Sequence, residues 1–199
     1  MNNEIARIFA LEIKETIDEA LQCCNWPYKS ENDKIRKFEL IKKLASLVSE
    51  LLEVDGMKEK LIELANASAI NGENNEIKIA TFDLIRNILI HFPIYNSWDE
   101  ICISKKLLKW NKPRNSHILK YFENNCNKSF TYRIFLNENN NWVEKHTITV
   151  NIPKLDENNE IYLKDILSLD DAIWTFGIID YYLKDLGLNI EPYNFTVSL

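Results

Sequence analysis

The sequence predicts a mainly helical bundle that ends in a β-hairpin and one further helix, and three observations carry that expectation. Apolar residues recur at spacings of three and four through the first half of the chain, the signature of amphipathic helices. Only 4 Gly and 5 Pro punctuate 199 residues, too few for long linkers or low-complexity structure. Strict apolar–polar alternation, the signature of strands, is confined to a short region near the C-terminal third.

The elements follow in order. Ile5, Ile8, Phe9, Ile13, Ile17, Ala20, Leu21 and Cys24 form one stripe, and Trp26-Pro27 stops that helix because proline disfavours the helical region in the residue before it. Ser30 and Asp33 are suited to cap a second helix. Its core stripe is Phe38, Ile41, Leu44, Ala45, Val48, Leu51 and Leu52, and Asp55-Gly56 ends it. A short third helix runs from about Met57 to Ala69 and breaks at Asn71-Gly72. The fourth, about Glu73 to Phe92, presents Ile77, Ala80, Thr81, Leu84, Ile85, Ile88 and Phe92 on one face. Its other side mixes Ile79, Phe82 and Ile90 with Asp83, Arg86 and Asn87. A helix apolar on two sides is normally buried on two sides. A second copy around a two-fold axis is an economical cover, which puts Arg86 and Asn87 beside a dimer seam.

Beyond Pro93 the expectation is a helix through Trp98 to Trp110, a loop at 111–114 and another helix to about Asn124. Phe130, Tyr132, Ile134 and Leu136 then alternate, as do Ile148, Val150 and Ile152, with the polar tract 137–141 between them. That pattern is a β-hairpin. A last helix begins near Ser168, buries Ile173, Phe176, Ile179 and Leu183, and closes at Gly187. The division expected is a helical bundle over 1–125 and a hairpin-plus-helix extension over 126–199, packed on the same domain.

Composition narrows the class. Hydrophobic residues make up 46 % and charged residues 27 %, the balance of a core-forming protein. No apolar run reaches the roughly 20 residues a membrane span needs, and the N-terminus lacks the pattern of a secretory signal, so a cytoplasmic protein is expected. Cys23, Cys24, Cys102 and Cys126 form no CxxC pair and have no His at ligand spacing. They read as structural, with no metal and no cofactor implied. The net charge of −6 is uneven. Lys105, Lys106, Lys109, Lys112, Arg114, Lys120 and Lys128 face one acid, Glu123, so residues 101–128 carry +6 and the remainder −12. Such a stretch suits a phosphate-bearing partner, or it is a solvated helix face.

One constellation carries chemistry: Arg86-Asn87-Ile88-Leu89-Ile90-His91 at the end of the fourth helix. Asn87 and His91, four apart, are neighbours on the helix surface, where an amide can orient an imidazole. Imidazole is the side chain suited to proton transfer near neutrality. Arg86 offers a planar fork that fits phosphate oxygens. Helical geometry turns it about 140° from His91, so two copies across a two-fold seam are needed to line one cleft. Structural readings stand beside these: Arg86 paired to Asp83 one turn earlier, and His91 as a C-terminal helix histidine without chemistry. His117 and His146 have no partner at a telling spacing, and Trp98 and Trp110 read as core.

The run Ile85-Arg86-Asn87-Ile88-Leu89-Ile90-His91-Phe92-Pro93, followed by Trp98, resembles the HEPN superfamily, and is similar to members found in bacterial plasmid and phage-defence settings. The resemblance covers about residues 3 to 125. It implies a homodimer that cleaves RNA without a metal, the ribose 2′-hydroxyl attacking the adjacent phosphorus to leave a cyclic phosphate. On that resemblance His91 moves the proton, Arg86 stabilises charge on the phosphoryl oxygens, and Asn87 matches the polar residue that commonly follows the Arg. Lys105, Lys106, Lys109, Lys112 and Arg114 would hold the RNA backbone. The partners implied are RNA, a second copy, and an antitoxin or other protein. The alternatives are a catalytically silent HEPN dimer that binds RNA or a protein, and a generic helical interaction protein.

Overall fold

The computed structural model describes residues 3–23, 30–67, 75–91, 94–103, 123–138, 141–154 and 161–188. Four helices open the chain: α1 (Asn3–Cys23), α2 (Glu31–Leu52), α3 (Met57–Ala67) and α4 (Asn75–His91). A 3-10 turn follows at Trp98–Glu100, then β1 (Cys102–Ile103), β2 (Lys128–Glu138), β3 (Asn141–Ile152) and β4 (Ile161–Tyr162). Helices α5 (Leu163–Ile166) and α6 (Leu169–Asp185) end the described chain. Among the described residues the architecture is mainly helical, with two small antiparallel two-stranded sheets, β1–β4 and β2–β3.

Local chemistry explains the element boundaries. Ser30 accepts a hydrogen bond from the Asp33 amide at 3.2 Å and caps α2. Ser168 does the same for α6 through the Asp171 amide at 3.0 Å. Each serine occupies one of the donors a helix start leaves unsatisfied. Gly56 and Gly187 sit at φ +76° and +69°, the left-handed region that glycine enters without a Cβ penalty.

The core begins with α1 and α2, which pack along one another. Phe38, Ile41, Leu44, Ala45, Val48 and Leu51 are buried as their spacing predicts. On α1 the buried line is Ala6, Ala10, Ile13, Ile17 and Ala20, while Ile5 and Ile8 are exposed. The apolar stripe expected there is therefore rotated at its start. Alanines let neighbouring helices come close, and α1 meets both α2 and α6. Arg36–Glu19 at 2.7 Å and Lys43–Glu12 at 2.9 Å line the exposed rim of the α1–α2 pair.

Helix α6 lies against α1, α2, α3 and α4. Ala172, Ile173, Phe176 and Leu183 are fully buried and belong to the same hydrophobic cluster as α1 and α2. The hairpin alternates as its sequence predicts, with Tyr132, Ile134, Ile148, Val150 and Ile152 buried. Its pairing runs from Lys128↔Ile152 to Glu138↔Asn141, with a bulge beyond Ile134↔His146 that leaves Lys145 outside the register.

One element departs from expectation. Over residues 98–103, the described part of the helix expected through Trp98 to Trp110, the chain is instead a single 3-10 turn followed by strand β1, which pairs Cys102↔Tyr162 and Ile103↔Ile161. Ile101 and Ile103 are buried and Cys102 is half-exposed between them, the two-residue period of a strand. Trp98 is core as expected, 1 % exposed, and its indole Nε1 donates to the Leu167 carbonyl at 3.1 Å. Those long-range bonds, not local propensity, decide the segment's conformation. The further helix expected up to Asn124, and the loop at 111–114, fall on residues 104–122, outside the described residues apart from Glu123 and Asn124. No described helix is long and apolar enough to cross a membrane.

Candidate functional site

Helix α4 positions the constellation singled out in the sequence. Thr81, Leu84, Ile85, Ile88 and Leu89 bury its inner face, which fixes the helix rotation and leaves Arg86 and Asn87 half-buried on the flank. His91 is the last residue of α4 and is exposed. Ile94, just beyond Pro93, is 77 % exposed.

Arg86 is held by three neighbours on its own helix. An Nη donates to Asn87 Oδ1 at 3.1 Å. Asp83 Oδ1 lies 3.7 Å from the same nitrogen, and both side chains are about one-fifth exposed. The guanidinium carbon stands 5.8 Å from the centre of the Phe82 ring, within cation–π range. The pairing of Arg86 with Asp83 is thus present as a physical contact. Asn87 directs its amide oxygen to Arg86, so the amide expected to orient His91 is engaged on the guanidinium side. Arg86 and His91 are five positions apart on one helix, about 7.5 Å along its axis and about 140° around it by ideal helical geometry. Within one copy of the chain they point to different sides.

The second apolar side of α4 is covered differently from the sequence expectation. Phe82 meets Phe176 of α6 edge-on, with ring centres 5.4 Å apart and planes at 69°, and Phe82 and Ile90 pack against the core cluster. The chain's own last helix covers part of the surface assigned to a second subunit. The reason is topological: α6 is nearly one hundred residues away in sequence, and spacing along α4 is blind to it.

Most of the basic stretch falls outside the described residues. Lys105, Lys106, Lys109, Lys112, Arg114 and Lys120 lie outside the described residues, as do Trp110 and His117. Lys128 is exposed at the start of β2, with its Nζ 3.2 Å from Asn125 Oδ1. Cys102 and Cys126 are half-buried thiols. Among the described residues no group of three His, Cys, Asp or Glu side chains is arranged to hold a metal ion.

A second polar cluster was not legible in the sequence. His146 on β3 places Nε2 2.7 Å from Asp171 Oδ1 in the first turn of α6 and stacks on Trp174, with ring centres 5.2 Å apart and planes within 10°. Thr175 donates to the Asp171 carbonyl at 2.8 Å and shares a 3.2 Å hydrogen bond with the Tyr132 hydroxyl. His146, read from sequence as lacking a partner at a telling spacing, is therefore a tie between hairpin and bundle. The neighbouring Asp170 pairs with Lys37 of α2, whose side chain is 3 % exposed. The sequence placed the helix start near Ser168, but no local signal could have named His146 or Lys37 as partners.

The fold and this geometry define a mainly helical bundle with an antiparallel hairpin packed against its last helix. No family model, no curated protein and no solved structure matches the chain.

Proposed function

We propose that the chain is a metal-independent endoribonuclease of the HEPN type, a cytoplasmic toxin or defence effector that works as a homodimer. The observation that carries this reading is a guanidinium, Arg86, fixed on the flank of α4 within two turns of an imidazole, His91, exposed at the helix end. In the proposed reaction His91 accepts the proton of the ribose 2′-hydroxyl or returns one to the departing 5′-oxygen. The 2′-oxygen attacks phosphorus, the bond to the 5′-oxygen breaks, and a 2′,3′-cyclic phosphate remains. Arg86 stabilises the added charge on the phosphoryl oxygens. Because the two side chains diverge on one helix, a second copy would supply the complementary member of each pair. Lys105, Lys106, Lys109, Lys112 and Arg114 would hold the RNA backbone.

The Asp83–Arg86 contact favours a second reading, a silent HEPN dimer that binds RNA or a protein partner, since a guanidinium beside a carboxylate has part of its field already neutralised. One assay separates the two. Purified protein is incubated with single-stranded and structured RNA in chelator, comparing wild type with His91→Ala and Arg86→Ala. Cleavage leaving cyclic-phosphate ends, reduced by about 10²–10⁴ in His91→Ala, supports the ribonuclease. A dimer that leaves every RNA intact supports the silent module. Cleavage undiminished by His91→Ala removes His91 from the site.

A further inference from the structure

We infer that Phe82 and Phe176 are positioning residues for Arg86, so that the C-terminal helix α6 holds the guanidinium of the candidate site in place. The kinetic consequence rests on the ribonuclease reading; the positioning itself does not.

An arginine on a helix flank ordinarily samples many rotamers. Arg86 has contacts on three sides instead: Asn87 Oδ1 at 3.1 Å, Asp83 at 3.7 Å and the Phe82 ring at 5.8 Å. Two of these are polar and lie at the rim, where water competes for them. The Phe82 ring is the contact water cannot replace, and it is useful only if the ring itself is fixed. Phe176 fixes it, edge-on at 5.4 Å, from a fully buried position in the core.

Phe176 in turn sits on a helix whose start is tied from three directions. Lys37 of α2 pairs with Asp170, His146 of β3 bonds to Asp171 and stacks on Trp174, and Trp98 donates to the Leu167 carbonyl just before the helix. A contiguous line of contacts runs from these ties through Phe176 and Phe82 to Arg86. The helix expected to be an extension is therefore the buttress of the candidate site.

The test uses the full chain and reads Arg86 directly. The Nε–Hε side-chain signal of Arg86 is assigned by its disappearance in Arg86→Lys, and its order parameter is measured in wild type, Phe82→Leu, Phe176→Leu and Phe82→Tyr. Circular dichroism checks that each variant folds. In both leucine variants the order parameter is expected to drop well below the wild-type value, and in Phe82→Tyr, which keeps the ring, to stay at it. On any RNA the wild type cleaves, kcat is expected to drop on the order of tenfold in the leucine variants with KM little changed. If Phe176→Leu does not fold, half-buried Phe82 decides alone. Arg86 as ordered in Phe82→Leu as in wild type overturns the proposal whatever the activity. Loosening of Arg86 in a protein that cleaves no RNA upholds the positioning and assigns the failure to the ribonuclease reading.

Discussion

Replacing Trp98 by Phe tests the account of how the segment after α4 is fixed. The indole is 1 % exposed and its Nε1 donates to the Leu167 carbonyl at 3.1 Å across 69 residues of sequence. Phenylalanine keeps an aromatic ring but removes the donor, and a buried acceptor deprived of its partner costs about 1–3 kcal/mol. The ring is also smaller by roughly 40 Å³, and at about 24 cal/mol per Å³ of unfilled cavity that adds about 1 kcal/mol. The expected loss is therefore about 2–4 kcal/mol, and at about 2–4 °C per kcal/mol for a chain of this size the midpoint should fall by about 4–16 °C. Urea unfolding followed by circular dichroism at the helical minimum measures it, because the signal does not depend on the tryptophan removed. An unchanged m-value with a loss below about 0.5 kcal/mol would show that the Leu167 carbonyl finds water in the variant, and the reasoning would be refuted.

Other expectations follow from the same contacts. Ser168→Ala removes the cap of α6 and should cost about 1 kcal/mol, with Ser168→Asp close to wild type; equal midpoints for Ser and Ala would discredit the cap. A double-mutant cycle of His146→Ala with Asp171→Asn should give a coupling of at least about 0.5 kcal/mol, since the two touch at 2.7 Å, whereas additive losses would mean the contact is incidental. Tyr181 is raised by burial and then by Asp185, and Lys14 by its hydrogen bond to Asp18. Both groups hold their protons more tightly folded than unfolded, so their contribution is complete below the ordinary values of 10.0 and 10.5 and is lost as pH rises through the raised ones. Unfolding midpoints should decline gently across that alkaline range, solvent screening keeping the effect small; Tyr181→Phe should flatten the decline, and an unaltered slope would argue against it.

The helices α1 to α4, the existence of the hairpin and the start of α6 were legible in the amino-acid sequence because each is written in short-range terms. Three- and four-residue spacing places Phe38, Ile41, Leu44 and Val48 on one face, two-residue spacing places Tyr132 and Ile134 on another, and Ser30, Ser168, Gly56 and Gly187 mark ends by their own hydrogen bonds or backbone freedom. The Arg86-Asn87 and His91 constellation was equally visible, since it occupies two turns of one helix. The tertiary structure alone decided that residues 102–103 are a strand, that the buried line of α1 starts at Ala6 instead of Ile5, and that α6 covers Phe82. It alone joined His146 to Asp171 and Lys37 to Asp170, partners 25 and 133 residues apart. Spacing along a chain reports which side chains share a face, while the identity of what covers that face depends on how distant segments meet.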